Sequence, residues 1–314
     1  MNKLLVVAGP TASGKSALAL RLAETFNGTV INADSMQVYQ GVPILTAQPS
    51  ETERMRAPHL LYGVIPPGQS CSAGRWRQRA AAACHKSWDE GRLPLLVGGT
   101  GLYIRSLLQG LSPIPDIPAE VREASRALLI ELGNVEFHRR LAERDPVMAA
   151  RLDPGNSQRL ARAWEVLAAT GRSLAEWQAE PRQGGLMAES RIIAVLPPRP
   201  SLYAACDQRL VAMLEQGALD EVRALLALRL DPTLPVMKAL GVAEFAAHCQ
   251  GRCSLDESLA AAQQATRNYA KRQMTWFRHQ LVADFVVSTQ FSETEYEKIF
   301  SFIRSFVDRA ELTD

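Results

Sequence analysis

Apolar positions in the first hundred residues follow two alternating rhythms. Short continuous runs at Lys3 to Ala8, Thr29 to Ala33 and Pro94 to Val97 have the length and composition of buried strands. Between them the spacing turns helical, at Leu18, Leu22 and Phe26 after Lys15, and again over Gly74 to Glu90. Strands that alternate with helices predict a parallel α/β sheet flanked by helices. The prolines Pro113, Pro115 and Pro118 end that rhythm, and no convincing strand returns until Arg191 to Leu196, bounded by Pro197 and Pro198. The pattern predicts a core of residues 1–112 and 191–314, with an all-helical domain inserted over 113–190. A separate C-terminal helical domain is the alternative, and the returning strand argues against it. Leu210, Met213, Leu214, Leu219, Val222, Leu225 and Leu226 predict two helices near Gly217, and a long helix comes after them from about Leu255 to Leu281.

The turn after the first strand makes a candidate site out of a fold. Gly9, Pro10, Thr11, Ala12, Ser13, Gly14, Lys15 and Ser16 complete a G-x-x-x-x-G-K-[ST] phosphate loop between strand and helix, the signature of a P-loop NTPase-like sheet. Glycine turns there aim backbone N–H groups and the positive helix end at one anion, while Lys15 reaches the outer phosphates and Ser16 can hold Mg²⁺. The loop does not say whether those phosphates belong to ATP. Asp34 stands at the end of the second strand, the edge where open α/β sheets bind ligands. Three roles suit it: Mg²⁺ ligand, general base, or cap of the next segment. The third strand ends in Gly98, Gly99 and Thr100, where a motor or signalling ATPase would usually place an aspartate. That weakens the ATPase reading, because no evident device organises an attacking water.

Composition adds bounds rather than chemistry. A chain of 314 residues, 47% hydrophobic, can bury a sizeable core in one or two domains. The net charge of +2 says little by itself. Its distribution says more: Arg267, Lys271, Arg272, Arg278 and His279 lie in a stretch without an acidic residue between Glu257 and Asp284. Arg267, Lys271 and Arg278 fall within about 40° on a helical wheel, opposite Ala262, Tyr269, Trp276 and Phe277, so that face is expected to meet a polyanion. Arginines of the inserted region offer a second clamp or a kinase-like lid, Arg159 and Arg162 before the others. Five scattered cysteines fit reduced thiols, and His248, Cys249 and Cys253 supply too few donors for a zinc site. No apolar run is long enough to span a membrane and no signal segment stands out, which predicts a cytoplasmic protein without membrane contact. No heptad or exposed apolar stripe stands out either, and a monomer is expected.

At this point the chain resembles the tRNA dimethylallyltransferase (tRNA isopentenyltransferase) family, bacterial type, over nearly its whole length. The matching runs are Gly9 to Ser16, Asp34 to Tyr39, Gly98 to Tyr103, Gln158 to Arg162 with Glu165, and Thr266 to Arg278. The resemblance implies transfer of a dimethylallyl group from dimethylallyl diphosphate to the exocyclic N6 amine of the adenine 3′ to the anticodon. It also implies Asp34 as general base, Thr11 and Thr100 lining the reaction channel, and Lys15 and Arg209 on the diphosphate with Mg²⁺ at Ser16. Its tRNA contacts would come from Asp34, Ser35, Met36, Gln37 and Thr100, from Arg122, Gln158, Arg159, Leu160, Ala161 and Arg162 of a domain gripping the anticodon stem-loop, and from Arg267, Lys271, Arg272 and Arg278. Two stretches depart from the family pattern: Gln48 replaces a lysine common in bacterial members, and Lys238 to Ala243 differs from an arginine-bearing loop. A small-molecule kinase and an RNA-binding P-loop ATPase are the competing readings, sharing respectively the lid arginines and the basic face.

Overall fold

The computed structural model describes residues 2–289 and 293–308. Residue 1 and residues 290–292 and 309–314, which the expected core segments include, lie outside the described residues. The chain divides into two compact units, one of Met1–Leu108 with Leu186–Asp314, the other of Gln109–Gly185.

The strands are β1 Lys3–Ala8, β2 Gly28–Asn32, β3 His59–Leu60, β4 Leu93–Gly98, β5 Glu189–Val195 and β6 Phe285–Val287. The helices before the second unit are α1 Lys15–Thr25, α2 Glu51–Arg56, α3 Ala73–Asp89 and α4 Gly101–Gln109. Those within it are α5 Ala119–Arg144, α6 Pro146–Ala149, α7 Ser157–Thr170 and α8 Leu174–Ala179. The chain then continues through α9 Arg199–Glu215, α10 Ala218–Ala227, α11 Val242–Cys249, α12 Leu255–Gln280 and α13 Glu293–Asp308.

The first unit is a parallel six-stranded sheet in the order β3-β2-β4-β1-β5-β6. Alternation along β1 divides its side chains between two cores. Leu4, Val6 and Ala8 face a cluster holding Trp76, Tyr103, Phe245 and Phe277, whereas Leu5 and Val7 face Leu18, Leu22, Ile299 and Ile303. Both faces are therefore dry, which explains why these strands read as continuous apolar runs. On the second face Lys3 Nζ caps the end of α13, donating to the carbonyls of Phe306 and Val307 at 2.7 and 2.6 Å. The sequence pattern misses β3 and β6, of two and three residues, since such short strands are defined by their partners rather than by periodicity.

The second unit packs α5 to α8 around Phe137, Leu141, Leu160, Ala163 and Val166. Gly133, at φ 69°, breaks α5 in the middle. Among the described residues no helix is long and apolar enough to cross a membrane.

Candidate active site

β1 occupies an inner position of the sheet, and at its end the chain turns through Gly9 to Ser16 into α1. Ala12 (φ 61°) and Gly14 (φ 88°) take left-handed backbone in this turn, which brings successive N–H groups to one concave side. Gly9 has no room for a side chain, because a Cβ would lie 2.5 Å from the Val195 carbonyl oxygen of β5. Lys15 Nζ donates across the loop to the Pro10 carbonyl at 3.0 Å. Arg209, carried by α9, donates to Thr11 Oγ1.

Two cations thus share a confined space. Burial pushes the Lys15 ammonium pKa down to about 8, with the Asp34 carboxylate opposing that shift and Arg209 adding to it. Burial also lowers the Arg209 guanidinium, against the opposing pull of Cys206 and Asp34. Among the described residues, Arg209 Nε and Ser13 Oγ are buried without a hydrogen-bond partner. Half-buried cations and unmet donors at a helix N-terminus call for a multiply charged oxyanion. A pH dependence results. Lys15 is charged below about pH 8 and neutral above it, so affinity for inorganic diphosphate should hold below that pH and fall as pH rises through it. Calorimetric titration from neutral to alkaline pH tests this; Lys15→Met should lose that step and keep only the ligand's own titration.

Asp34 faces this pair. Asn32, fully buried at the end of β2, accepts the Asp34 N–H at 2.8 Å and donates to the carbonyls of Asp34 and Leu61 at 3.0 and 3.1 Å. Trp76 Nε1 in turn donates to the Asn32 carbonyl at 3.0 Å. The backbone under Asp34 is thereby fixed. Its Oδ1 accepts the Met36 N–H at 2.9 Å, a local Asx-type turn, leaving Oδ2 as a second acceptor. Thr100 Oγ1 accepts the Ser35 N–H at 2.9 Å, and the Thr100 N–H donates to the Ala33 carbonyl at 3.1 Å, so the ends of β2 and β4 are stitched together. Gly98 permits this approach: a Cβ there would lie 2.2 Å from the carbonyl carbon and oxygen of Ala33. Beside Thr100, burial and the Asp34 charge hold the Tyr269 hydroxyl above the usual tyrosine range.

A cavity of about 620 Å³ joins these parts, lined by the loop from Thr11 to Ala17, Asp34, Gln37 and Arg209, with Ile44, Ala47 and Met213 as apolar wall. Its volume and mixed lining suit a small ligand with one charged and one apolar end. Glu221 shapes that wall, its two carboxylate oxygens accepting the N–H groups of Ile44 and Leu45 at 2.6 and 2.9 Å. Gln48 also lines the cavity, and its amide is turned to the Tyr39 carbonyl at 2.8 Å. For a metal, Ser16 is exposed at the start of α1, and no group of three His, Cys, Asp or Glu converges among the described residues. That donor set fits Mg²⁺, which keeps waters and takes ligands from substrate phosphates.

The family model for IPP transferases matches residues 37–280. The chain belongs to this family. It is 58% identical to a tRNA dimethylallyltransferase of Paramagnetospirillum magneticum, over 96% of this chain and 95% of that one. A second tRNA dimethylallyltransferase, of Rhodospirillum rubrum, is 51% identical over 97% and 95%. Among solved structures, a eukaryotic dimethylallyltransferase acting on tRNA superposes with a TM-score of 0.84 at 26% identity, over 98% of this chain and 80% of that one. The tRNA isopentenylpyrophosphate transferase of Bacillus halodurans gives 0.71 at 31% identity, over 98% of both.

Not every residue that the family resemblance singles out stands at a surface. Ser35, Met36 and Gln37 are half-buried beside Asp34, and Gln37 Nε2 donates to the carbonyls of Thr46 and Ala47 at 2.9 and 2.7 Å. Gln158 and Arg159 are exposed in the second unit, as is Arg122, and Arg162 pairs with Glu165 at 3.6 Å. Leu160 and Ala161 are buried, at 0% and 8% exposure, with Leu160 part of that unit's apolar core. The run therefore alternates: its polar members reach outward and its apolar members hold the helix. Lys271, Arg272 and Arg278 of α12 are exposed. Arg267 is not a free cation, because its Nη1 lies 2.6 Å from Asp207 Oδ1 of α9. The expectation of an unneutralised stripe thus holds only for Lys271 and Arg278, as the carboxylate arrives from another helix; Arg272, outside that stripe, lies over the Tyr269 ring. Sequence reasoning overlooks Asn32, Tyr269 and Gln273. Gln273 Oε1 accepts the Thr11 N–H at 2.8 Å, and its Nε2 donates to the Gly99 carbonyl at 2.9 Å.

Proposed function

We propose that this chain transfers a dimethylallyl group from dimethylallyl diphosphate to the exocyclic N6 amine of the adenine next to the anticodon in tRNA. The observation that carries it is the opposition, in one cavity, of a carboxylate at Asp34 to the cation pair Lys15 and Arg209. Transfer forms a bond from the amine nitrogen to the first prenyl carbon and breaks the bond from that carbon to the diphosphate oxygen. The adenine amine is a poor nucleophile, its lone pair being delocalised into the ring, so a base must take its proton as it attacks. Asp34 Oδ2 is the acceptor of that proton, with the carboxylate held in place through Oδ1. The charge that develops on the departing diphosphate is met by Lys15, Arg209 and the loop N–H groups, which are positioned before the substrate arrives. Thr11 lines the cavity beside Arg209, and Thr100 is held next to Asp34 through Ser35; by the family resemblance both line the path of the prenyl carbon. Mg²⁺ on Ser16 would supply further neutralisation of the leaving group.

The exposed Lys271, Arg272 and Arg278, with Arg122, Gln158 and Arg159 of the second unit, are the groups offered to the RNA backbone. A stacked base cannot reach a recessed carboxylate, so the target adenine must leave its stack.

The test is an incubation of the protein with Mg²⁺, an unmodified tRNA bearing adenine after its anticodon, and radiolabelled dimethylallyl diphosphate, with labelled ATP in a parallel tube. Label entering tRNA, with ATP untouched, is the expected result. An inert prenyl donor with ATP consumed would make the loop a kinase or ATPase site.

A further inference from the structure

α12 carries Lys271, Arg272 and Arg278 outward and its polar anchors, Arg267 among them, inward. Gln273 is 6% exposed, and both ends of its carboxamide are engaged, one by the phosphate loop at Thr11 and one by the strand-end turn at Gly99. A donor on one side and an acceptor on the other leave the amide a single orientation. The fit at Gly99 is so close that a Cβ there would lie 2.3 Å from Gln273 Nε2. The same helix grips α9: Arg267 pairs with Asp207, and Gln263 Nε2 donates to the Asp207 carbonyl at 3.3 Å. Asp207 is two residues before Arg209. A few inward side chains of α12 therefore hold the loop, the turn next to Thr100 and the helix that bears Arg209. One turn or less away, Lys271 and Arg272 face solvent.

We propose that Gln273 is a positioning residue that links RNA binding on the outer face of α12 to diphosphate binding on its inner face. The proposal rests on the function proposed above. Gln273 touches neither reacting atom; it acts through Thr11 and Gly99. A polyanion that seats α12 also seats its carboxamide, and an ordered Thr11 gives Arg209 a fixed partner beside the diphosphate. By reciprocity, diphosphate should tighten RNA binding by the same factor.

The experiment is a titration of inorganic diphosphate with Mg²⁺ onto the full chain, with and without a saturating unmodified tRNA. The native protein should bind diphosphate about fivefold or more tightly when tRNA is present. In Gln273→Met, similar in length but unable to hydrogen-bond in this way, the ratio should fall to about one, and the KM for dimethylallyl diphosphate should rise about tenfold with tRNA affinity nearly unchanged. Gln273→Glu keeps an acceptor for Thr11 but loses the donor to Gly99, so it should also lose the linkage, and it provides the readout should the methionine variant not fold. A ratio of one in the native protein overturns the proposal. So does a native-like ratio in a folded variant that shows only lowered thermal stability, which would make Gln273 a packing residue. Because the diphosphate titration is read without turnover, and only the KM requires transfer, a protein that binds both ligands but transfers no prenyl group would refute the functional reading and leave the titration standing.

Discussion

Asp34→Ala should lose turnover by about a thousandfold, within the ~10²–10⁴ range of positioned general bases, while tRNA affinity changes by less than about threefold. Asp34→Asn separates proton transfer from local structure, because an asparagine oxygen can still accept the Met36 N–H that Asp34 Oδ1 now accepts. It should therefore match the alanine variant in turnover and the native protein in folding and RNA binding. Single-turnover transfer and a direct tRNA binding isotherm provide the two numbers. Equal losses in both would remove Asp34 from the proton-transfer role and make it a structural anchor of the β2 turn.

Replacing Lys15 should divide function from stability. Lys15→Met removes one of two cations from the leaving group, and kcat/KM for dimethylallyl diphosphate should fall by about 10²–10³, comparable to loss of one preorganised oxyanion donor. The KM for tRNA should stay put. The ligand-free variant should meanwhile melt higher than the native protein near neutral pH. Burial lowers the Lys15 pKa from 10.5 to about 8, so at neutral pH the folded protein carries a charge that it holds less comfortably than the unfolded chain does. That penalty is on the order of a few kcal/mol and is fully present below about pH 8. It fades as pH rises from there towards 10.5, where lysine is neutral in both states, so the melting difference should close over that window. A variant that melts lower at every pH would mean that the Pro10 contact, and not a ligand, offsets the burial of Lys15. Arg209 shares the same ligand, so double substitution should cost less than the product of the single effects.

The parts legible in sequence are those whose chemistry is local. The phosphate loop needs glycine at set spacings, Asp34 comes directly after its strand, and β1, β2, β4 and β5 announce themselves because both faces of the sheet are buried. What sequence hides is tertiary. Gln273 reads as one polar residue in a helix, and only folding brings Thr11 and Gly99 to its two ends. Arg267 reads as a free cation because its partner Asp207 lies sixty residues away on another helix. Leu160 sits among polar neighbours in a run that resembles an RNA-binding motif, yet its side chain is core. Tyr269 falls on the face that the wheel marks as apolar, and its hydroxyl end belongs to the site.

Gly98 has a historical meaning as well as a structural one. Its Cα is pressed so closely against the Ala33 carbonyl that even alanine would force the ends of β4 and β2 apart. An acidic side chain of the sort that organises water in nucleotide hydrolases cannot be inserted there by one substitution without first unmaking the contact that seats Thr100 beside Ser35. A lineage that adopts this glycine has closed the single-step route to hydrolysis at that position. Its phosphate loop therefore holds a leaving group without a carboxylate at that strand end to direct water at phosphorus.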